Sequence, residues 1–321
     1  MNRQQITEKL NFLFDPNNVI GLSMFIITTD EDDFIVKRAD ITAEVRDALK
    51  KQFQDYLQQQ IIQNDDLVFG SILESDGKTK GVFTFDADET PAGLGSLSNL
   101  LENEQVDTFN FANESLEHLS GFIFLLGNAE EKVALYKKHY PINAIQRDRI
   151  LMVKKSATRL EKVGDDIIKI DPTVQFVQVG DDLLILDPNT LEKFFGFEQV
   201  IRTRATASVH NLIGPTNFLA STDGILGRLD NLTFARKLGK LNGDSPVLQV
   251  DFDKLKAFIK QHPKLSKSIK FNNDESRIAL QTNVSMDLFI KLLDDDYLKS
   301  ELTDYLYEAD RKDVVPTEEA A

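Results

Sequence analysis

Gly121-Phe122-Ile123-Phe124-Leu125-Leu126-Gly127 contains no polar side chain and no alternation. A strand with one wet face alternates apolar and polar residues, so a bare apolar run bounded by glycine reads as a strand buried on both faces. Upstream, residues 19–29 form a β-rich apolar run. It ends at the acidic turn Asp30-Glu31-Asp32-Asp33, and Phe34-Ile35-Val36 returns as a hairpin-like partner. That turn lacks the glycine and terminal glutamate of a calcium hand and reads as solvated. Ile41, Val45, Ala48, Leu49, Phe53, Tyr56 and Leu57 repeat at three-and-four spacing. They predict one long helix, capped by Asp40 and running to about Ile62. Leu67-Val68-Phe69 and residues 81–85 are further strands, separated by Ser75-Asp76-Gly77, and residues 91–98 are a Gly/Ser-rich linker to a short helix. Downstream of the opening run, Asn128 is placed as the cap of a helix containing Val133, Ala134 and Tyr136, ending before Pro141.

The character then changes. Residues 149–155, 159–163, 167–170, 174–179 and 183–186 read as short strands of an antiparallel meander, punctuated by Gly164-Asp165 and Gly180-Asp181. Residues 188–241 read as helical and 246–250 as a short strand. A helix over 251–261 is stopped by His262-Pro263. A hairpin turns at Asn272-Asn273-Asp274, and a last helix covers 285–293. The expected fold class is α+β: an N-terminal mixed α/β-sheet domain over 1–148, then a C-terminal α+β domain over 149–308 that begins with the meander and continues mainly helical. Residues 309–321 are expected to be an acidic flexible tail.

The 321 residues include no cysteine and no tryptophan, and 41% are hydrophobic. Cysteine-free composition excludes disulfide scaffolds, thiolate metal sites and cysteine nucleophiles, and fits a reducing cytoplasm. The longest apolar stretches fall far short of the ~20 residues a membrane span needs.

With 52 acidic and 37 basic residues the net charge is −15, which by itself argues against nucleic acid. The charge is uneven, however. Residues 1–131 carry −15, 132–162 carry +7, 163–198 carry −6, 199–270 carry +7 and 271–321 carry −8. Two basic windows therefore stand inside an acidic chain.

Catalytic motifs are lacking: no Walker loop, glycine fingerprint, His-Glu-x-x-His or Gly-x-Ser-x-Gly elbow occurs. His118, His139, His210 and His262 are isolated and read as structural. A metal-dependent nuclease would need carboxylates beside a lysine. The nearest fragments are Glu130-Glu131-Lys132, which opens the predicted helix, and Asp251-Phe252-Asp253-Lys254, where an aspartate reads better as a helix cap. No catalytic residue, metal ligand or cofactor is expected.

The basic windows are the stronger lead. On a helix over 231–241, Phe234, Ala235, Leu238 and Leu241 fall on one side and Arg236, Lys237 and Lys240 on the other. Lys264, Lys267 and Lys270 follow the next helix. Arg202 and Arg204 precede it, with Thr203, Thr206 and Ser208 as neutral hydrogen-bond donors. Lys154, Lys155 and Arg159 mark the earlier window. Clustered cations of this kind can neutralise a phosphate track, although a basic face is also simply the solvated side of an amphipathic helix. No base-reading signature accompanies them, so any DNA binding would be non-specific.

The blocks Phe234-Ala235-Arg236-Lys237-Leu238, VLQVDFDKLKAFIKQHPKL (247–265), SIKFNNDESRIAL (268–280) and LFIKLLDDDYLKSEL (288–302) resemble KwaB, the soluble component of the bacterial Kiwa anti-phage system. The resemblance is clearest over residues 200–310 and rests on packing patterns. It implies a homodimeric, DNA-binding protein that restrains phage DNA, recruited by a membrane-embedded partner, KwaA, to the inner face of the membrane. It carries over no catalytic residue. Two alternatives stand beside it: a divalent-metal nuclease using Asp251, Asp253 or Glu130, and a protein-binding scaffold of the same complex.

Overall fold

The computed structural model describes residues 1–30, 33–87, 94–140, 144–145, 153–155, 160–162, 167–213, 218–241, 245–299 and 306–308. They divide into two compact units, Met1–Phe197 and Glu198–Ala321.

The first unit runs through α1 (Arg3–Leu10), β1 (Gly21–Asp30), β2 (Asp33–Ala39) and α2 (Ala43–Tyr56), the last extended by a π-helical turn at Leu57–Ile62. β3 (Val68–Ser71), β4 (Gly81–Thr84), α3 (Gly95–Glu102), β5 (Leu119–Gly127) and β6 (Lys132–Lys138) follow. Then come β7 (Ala144–Ile145), β8 (Val153–Lys155), β9 (Leu160–Lys162), β10 (Ile167–Ile168), β11 (Phe176–Val179), β12 (Asp182–Ile185) and α4 (Pro188–Phe195).

Eight strands form one sheet in the order β2-β1-β5-β6-β11-β12-β4-β3, antiparallel throughout except for the parallel β3–β4 pair. The opening run lies in β5, buried from Leu119 to Leu126 and paired to β1 on one edge and β6 on the other. Alternate residues serve opposite faces. Phe122, Phe124 and Leu126 join Leu10, Phe53, Leu57 and Ile61 in one core, with the Phe53 and Phe124 rings 4.5 Å apart. On the other face Tyr136 of β6 and Phe176 of β11 receive Phe195 of α4 edge-on, at 5.3 and 5.2 Å. Helices thus cover both faces, as an all-apolar central strand requires.

Several expectations are corrected. The helix after Asn128 is the strand β6. The Asn128 side chain accepts the N–H groups of Glu130 and Glu131, at 2.9 and 2.8 Å, folding the chain into a tight turn that pairs β6 with β5. Glu130-Glu131-Lys132 therefore opens a strand. A Cβ at Gly127 would lie 2.2 Å from the Glu131 carbonyl, so only glycine fits there. α2 is capped by the Thr42 hydroxyl, and Asp40 lies outside the helix. The 246–250 strand is a 3₁₀ turn, Pro246–Gln249, capped by Ser245. The meander is not one sheet. β8 pairs with β9 and β7 with β10, while β11 and β12 join the main sheet. The change of character read at residue 148 therefore falls inside the first unit, and the units divide after Phe197.

In the second unit α5 (Phe197–Ile213) starts on the last residue of the first. It is followed by α6 (Asp223–Leu226), α7 (Leu232–Lys240), α8 (Phe252–Gln261), α9 (Pro263–Ser268), β13 (Lys270–Phe271), β14 (Ile278–Ala279), α10 (Asn283–Leu293), β15 (Tyr297–Lys299) and β16 (Leu306–Glu308). α10 is the core helix, buried from Leu288 to Ile290 and again at Leu292 and Leu293, and it packs on α7 and α9. The architecture is α+β, as expected. No described helix is long and apolar enough to cross a membrane. Residues 309–321 lie outside the described residues.

Candidate nucleic-acid interface

α7 is the best-formed basic element. The Asn231 side chain accepts the Phe234 N–H at 3.1 Å, fixing where the helix starts. Phe234, Ala235, Leu238 and Gly239 are then buried. Lys237 and Lys240 are exposed and Arg236 is partly exposed, on the outer side. Gly239 faces α5, and a Cβ there would meet Arg204 Cγ at 3.5 Å and the Ala205 nitrogen at 3.6 Å, ordinary contact distances. Across this contact Arg204 Nε donates to the Gly239 carbonyl at 3.0 Å. The structure therefore brings Arg204 to the C-terminal turn of α7, one residue from Lys240. Arg202, one turn along α5 from Glu198, pairs with it at 3.4 Å.

The hydroxyls expected to assist are mostly turned inward. Thr206 and Ser208 donate to the carbonyls of Arg202 and Arg204 in the preceding turn, and Ser208 is 1% exposed. Of the three, Thr203 stands exposed.

The second cluster follows α8. Asp251 caps that helix by accepting the N–H groups of Asp253 and Lys254, the role its position suggested. His262 caps α9, its Nδ1 accepting from Lys264 and Leu265 at 3.3 and 3.4 Å. Burial pushes the imidazole below its ordinary pKa; Lys264 adds to this and Glu308 opposes it. Lys264 and Lys267 are exposed on α9, and Lys270 reaches back to the Ser266 carbonyl at 3.2 Å. Glu308 of β16 pairs with Lys264 and also with Lys291 of α10, the latter at 2.6 Å. Those two lysines hold its carboxyl down at about 2. Arg204 thus belongs with the α7 group, Arg202 pairs within α5, and Lys264, Lys267 and Lys270 form a group of their own around α9.

Other cations of the 199–270 window are committed to packing. The Arg228 guanidinium lies 4.3 Å over the Phe234 ring and forks onto Asp287, with a further bond to the Asn283 carbonyl. Lys260 pairs with Glu275 at 2.6 Å. The 132–162 window behaves similarly where it is described. Lys132 binds Glu104, Lys137 is buried against Asp171 at 2.9 Å, and Lys138 lies 4.3 Å from the Phe194 ring. Lys154 and Lys155 sit in β8, whose side chains are not described, and Arg159 lies outside the described residues. Sequence reasoning missed Lys291, which sits in an acidic window; its place in the last turn of α10 was the available signal.

No group of three His, Asp or Glu residues that could hold a metal ion occurs among the described residues. The arrangement offers exposed ammonium and guanidinium groups to a polyanion.

Comparison with known proteins bears on this layout. The Kiwa protein KwaB of Escherichia coli O55:H7 (strain RM12579 / EPEC) is 27% identical over 319 residues, 98% of this chain and 99% of that protein. No solved structure matches. The Kiwa protein KwaB-like family matches residues 116–303, from the central strand β5 through the basic α7, α8 and α9 to β15, so this chain belongs to that family.

Proposed function

We propose that this chain is a cytosolic, non-catalytic effector of Kiwa anti-phage defence. In this reading it binds DNA without sequence preference as a homodimer, and a membrane-embedded KwaA-like partner recruits it to the inner face of the membrane. Family membership supports the defence role. The observation that carries DNA binding is α7, whose buried side anchors a helix with Arg236, Lys237 and Lys240 on its outer side. Each neutralised phosphate releases counterions, so affinity should fall steeply with salt. Reversing the charge of Arg236, Lys237 and Lys240 to glutamate is expected to lower affinity for duplex DNA at least tenfold. The slope of log K against log salt should flatten by up to about 0.9 for each phosphate that is no longer neutralised. Binding by filter retention or anisotropy between low and moderate salt measures both; unchanged binding removes α7 from the interface. The same preparation incubated with DNA and magnesium or manganese, alone and with the partner, tests the nuclease alternative. Cleavage abolished by Asp253→Ala would favour it.

One observation favours the scaffold alternative. Glu308 already pairs with both Lys264 and Lys291, so an acidic protein segment is a fitting occupant of this surface. That reading expects complex formation with the partner and no DNA retention at low salt.

A further inference from the structure

The first unit, acidic as a whole, contains a cleft of about 400 Å³ with the opposite local charge. Gly21 and Gly127, which face each other across β1 and β5, lie in its lining, where no side chain fills the space. Leu125, paired with Ser23 and on its face of the sheet, supplies apolar wall. Arg38 of β2, Arg46 of α2 and Lys132 of β6 line the rest with Ser23, Glu104 and Asn128.

The polar groups are interlocked. Lys132 Nζ donates to Glu104 at 2.8 Å, and Ser23 Oγ donates to the other Glu104 oxygen at 3.2 Å. Arg38 donates to Ser23 Oγ at 2.9 Å and lies 3.8 Å from Glu104. The loop carrying Glu104 is tied to β2: the Arg38 N–H donates to Asp107, and Phe109 donates to the Arg38 carbonyl, both at 2.8 Å. Glu104 and Arg38 are thus held in place by the fold. Partial burial opposes ionisation of Glu104, but Lys132, Ser23 and Arg38 outweigh it and hold its carboxyl below the ordinary range.

Three cations against one carboxylate leave a formal charge of +2, equal and opposite to that of a phosphomonoester dianion. Glu104 is engaged chiefly by Lys132 and Ser23. Among the described residues Arg46 makes only a long bond, 3.4 Å, to the Ile41 carbonyl. Two guanidinium groups, which fit phosphate oxygens in forked pairs, therefore line the cleft with spare donors. The volume exceeds what a bare phosphate fills and is within the range of small-molecule sites. A polyanion is disfavoured, because residues 1–131 carry 24 acidic against 9 basic residues.

We propose that this cleft binds a small organic phosphomonoester, its phosphate held by Arg38, Arg46 and Lys132 and its organic part against Leu125 and the glycine-lined wall of Gly21 and Gly127. The test is calorimetric titration of the full chain with inorganic phosphate, with adenosine 5′-monophosphate as an organic phosphomonoester, and with a duplex oligonucleotide. Saturable binding is expected for the first two, tighter for the nucleotide. Arg46→Gln, which leaves the interlocked groups intact, should weaken it about tenfold. Glu104→Gln, which removes the competing charge, should tighten it by a comparable factor. Thermal melting identifies any variant that fails to fold. The proposal is overturned if neither the wild type nor Glu104→Gln binds either phosphate, or if binding ignores Arg46→Gln. It is also overturned if the nucleotide binds no tighter than phosphate, or if Arg46→Gln abolishes retention of the oligonucleotide instead.

Discussion

The Nδ1 atom of His262 accepts two backbone N–H groups at the start of α9, which only a neutral imidazole can do. The ring is buried, 4.9 Å from Tyr297, with Lys264 and Glu308 as its charged neighbours. The unfolded side chain titrates at the ordinary 6.5 and the folded one lower, so on acidification the unfolded chain takes up the proton first. The stabilisation by this cap is therefore complete above pH 6.5 and is lost as the pH falls below it. His262→Ala is expected to cost about 1–2 kcal/mol at pH 7.5, from the cap and the lost packing. It should also reduce the decline in urea midpoint between pH 7.5 and 5.5. His139, likewise pushed down by burial, retains the remainder of that decline. An equal decline in wild type and variant would show that His262 does not titrate with folding. The sequence placed His262 as structural from its isolation, but not as a cap, because an imidazole is an uncommon acceptor at that position. Lys137 was read only as part of a basic window. Its burial against Asp171 follows from β6 being central, which local sequence did not reveal.

α7 was legible as an element because its apolar and basic residues separate cleanly around 3.6-residue periodicity. β6 was not, because a buried run such as Val133-Ala134-Leu135-Tyr136 fits helix or strand equally. The asparagine turn that decides for strand also resembles a helix cap in sequence. Gly239 is the position where element packing is most open to test. It sits in the last turn of α7 without needing glycine's conformational range, and a methyl group there meets α5 at ordinary van der Waals distance. Gly239→Ala should stabilise the second unit by about 1 kcal/mol through helix propensity, raising its melting temperature by a few degrees. Gly239→Leu should instead push α5 away, break the Arg204 bond to the Gly239 carbonyl and cost about 1–3 kcal/mol. A destabilised alanine variant would mean that α5 and α7 pack too closely to admit even a methyl group.

The net charge of −15 divides between the units as 20 basic and 33 acidic residues in the first, 17 and 19 in the second. The cationic candidates with described side chains lie in the nearly neutral second unit, whose acidic residues concentrate after residue 270. The sequence showed this alternation but not its consequence, because which acid finds which base depends on long-range folding. Glu308, far along the chain from Lys264, returns through β16 to occupy it and Lys291 together. The two pairs are partly exposed and contribute about 0–1 kcal/mol each, so the fold does not depend on them. If the basic surface binds DNA, Glu308 competes with phosphate there. Glu308→Gln should then leave melting nearly unchanged at neutral pH while raising DNA affinity several-fold at moderate salt. It should also steepen the salt dependence by up to about 0.9 as Lys264 becomes available to phosphate. If the surface instead serves an acidic partner segment, the same substitution should tighten the protein complex and leave DNA retention absent. Measuring both affinities on one variant therefore separates the two readings.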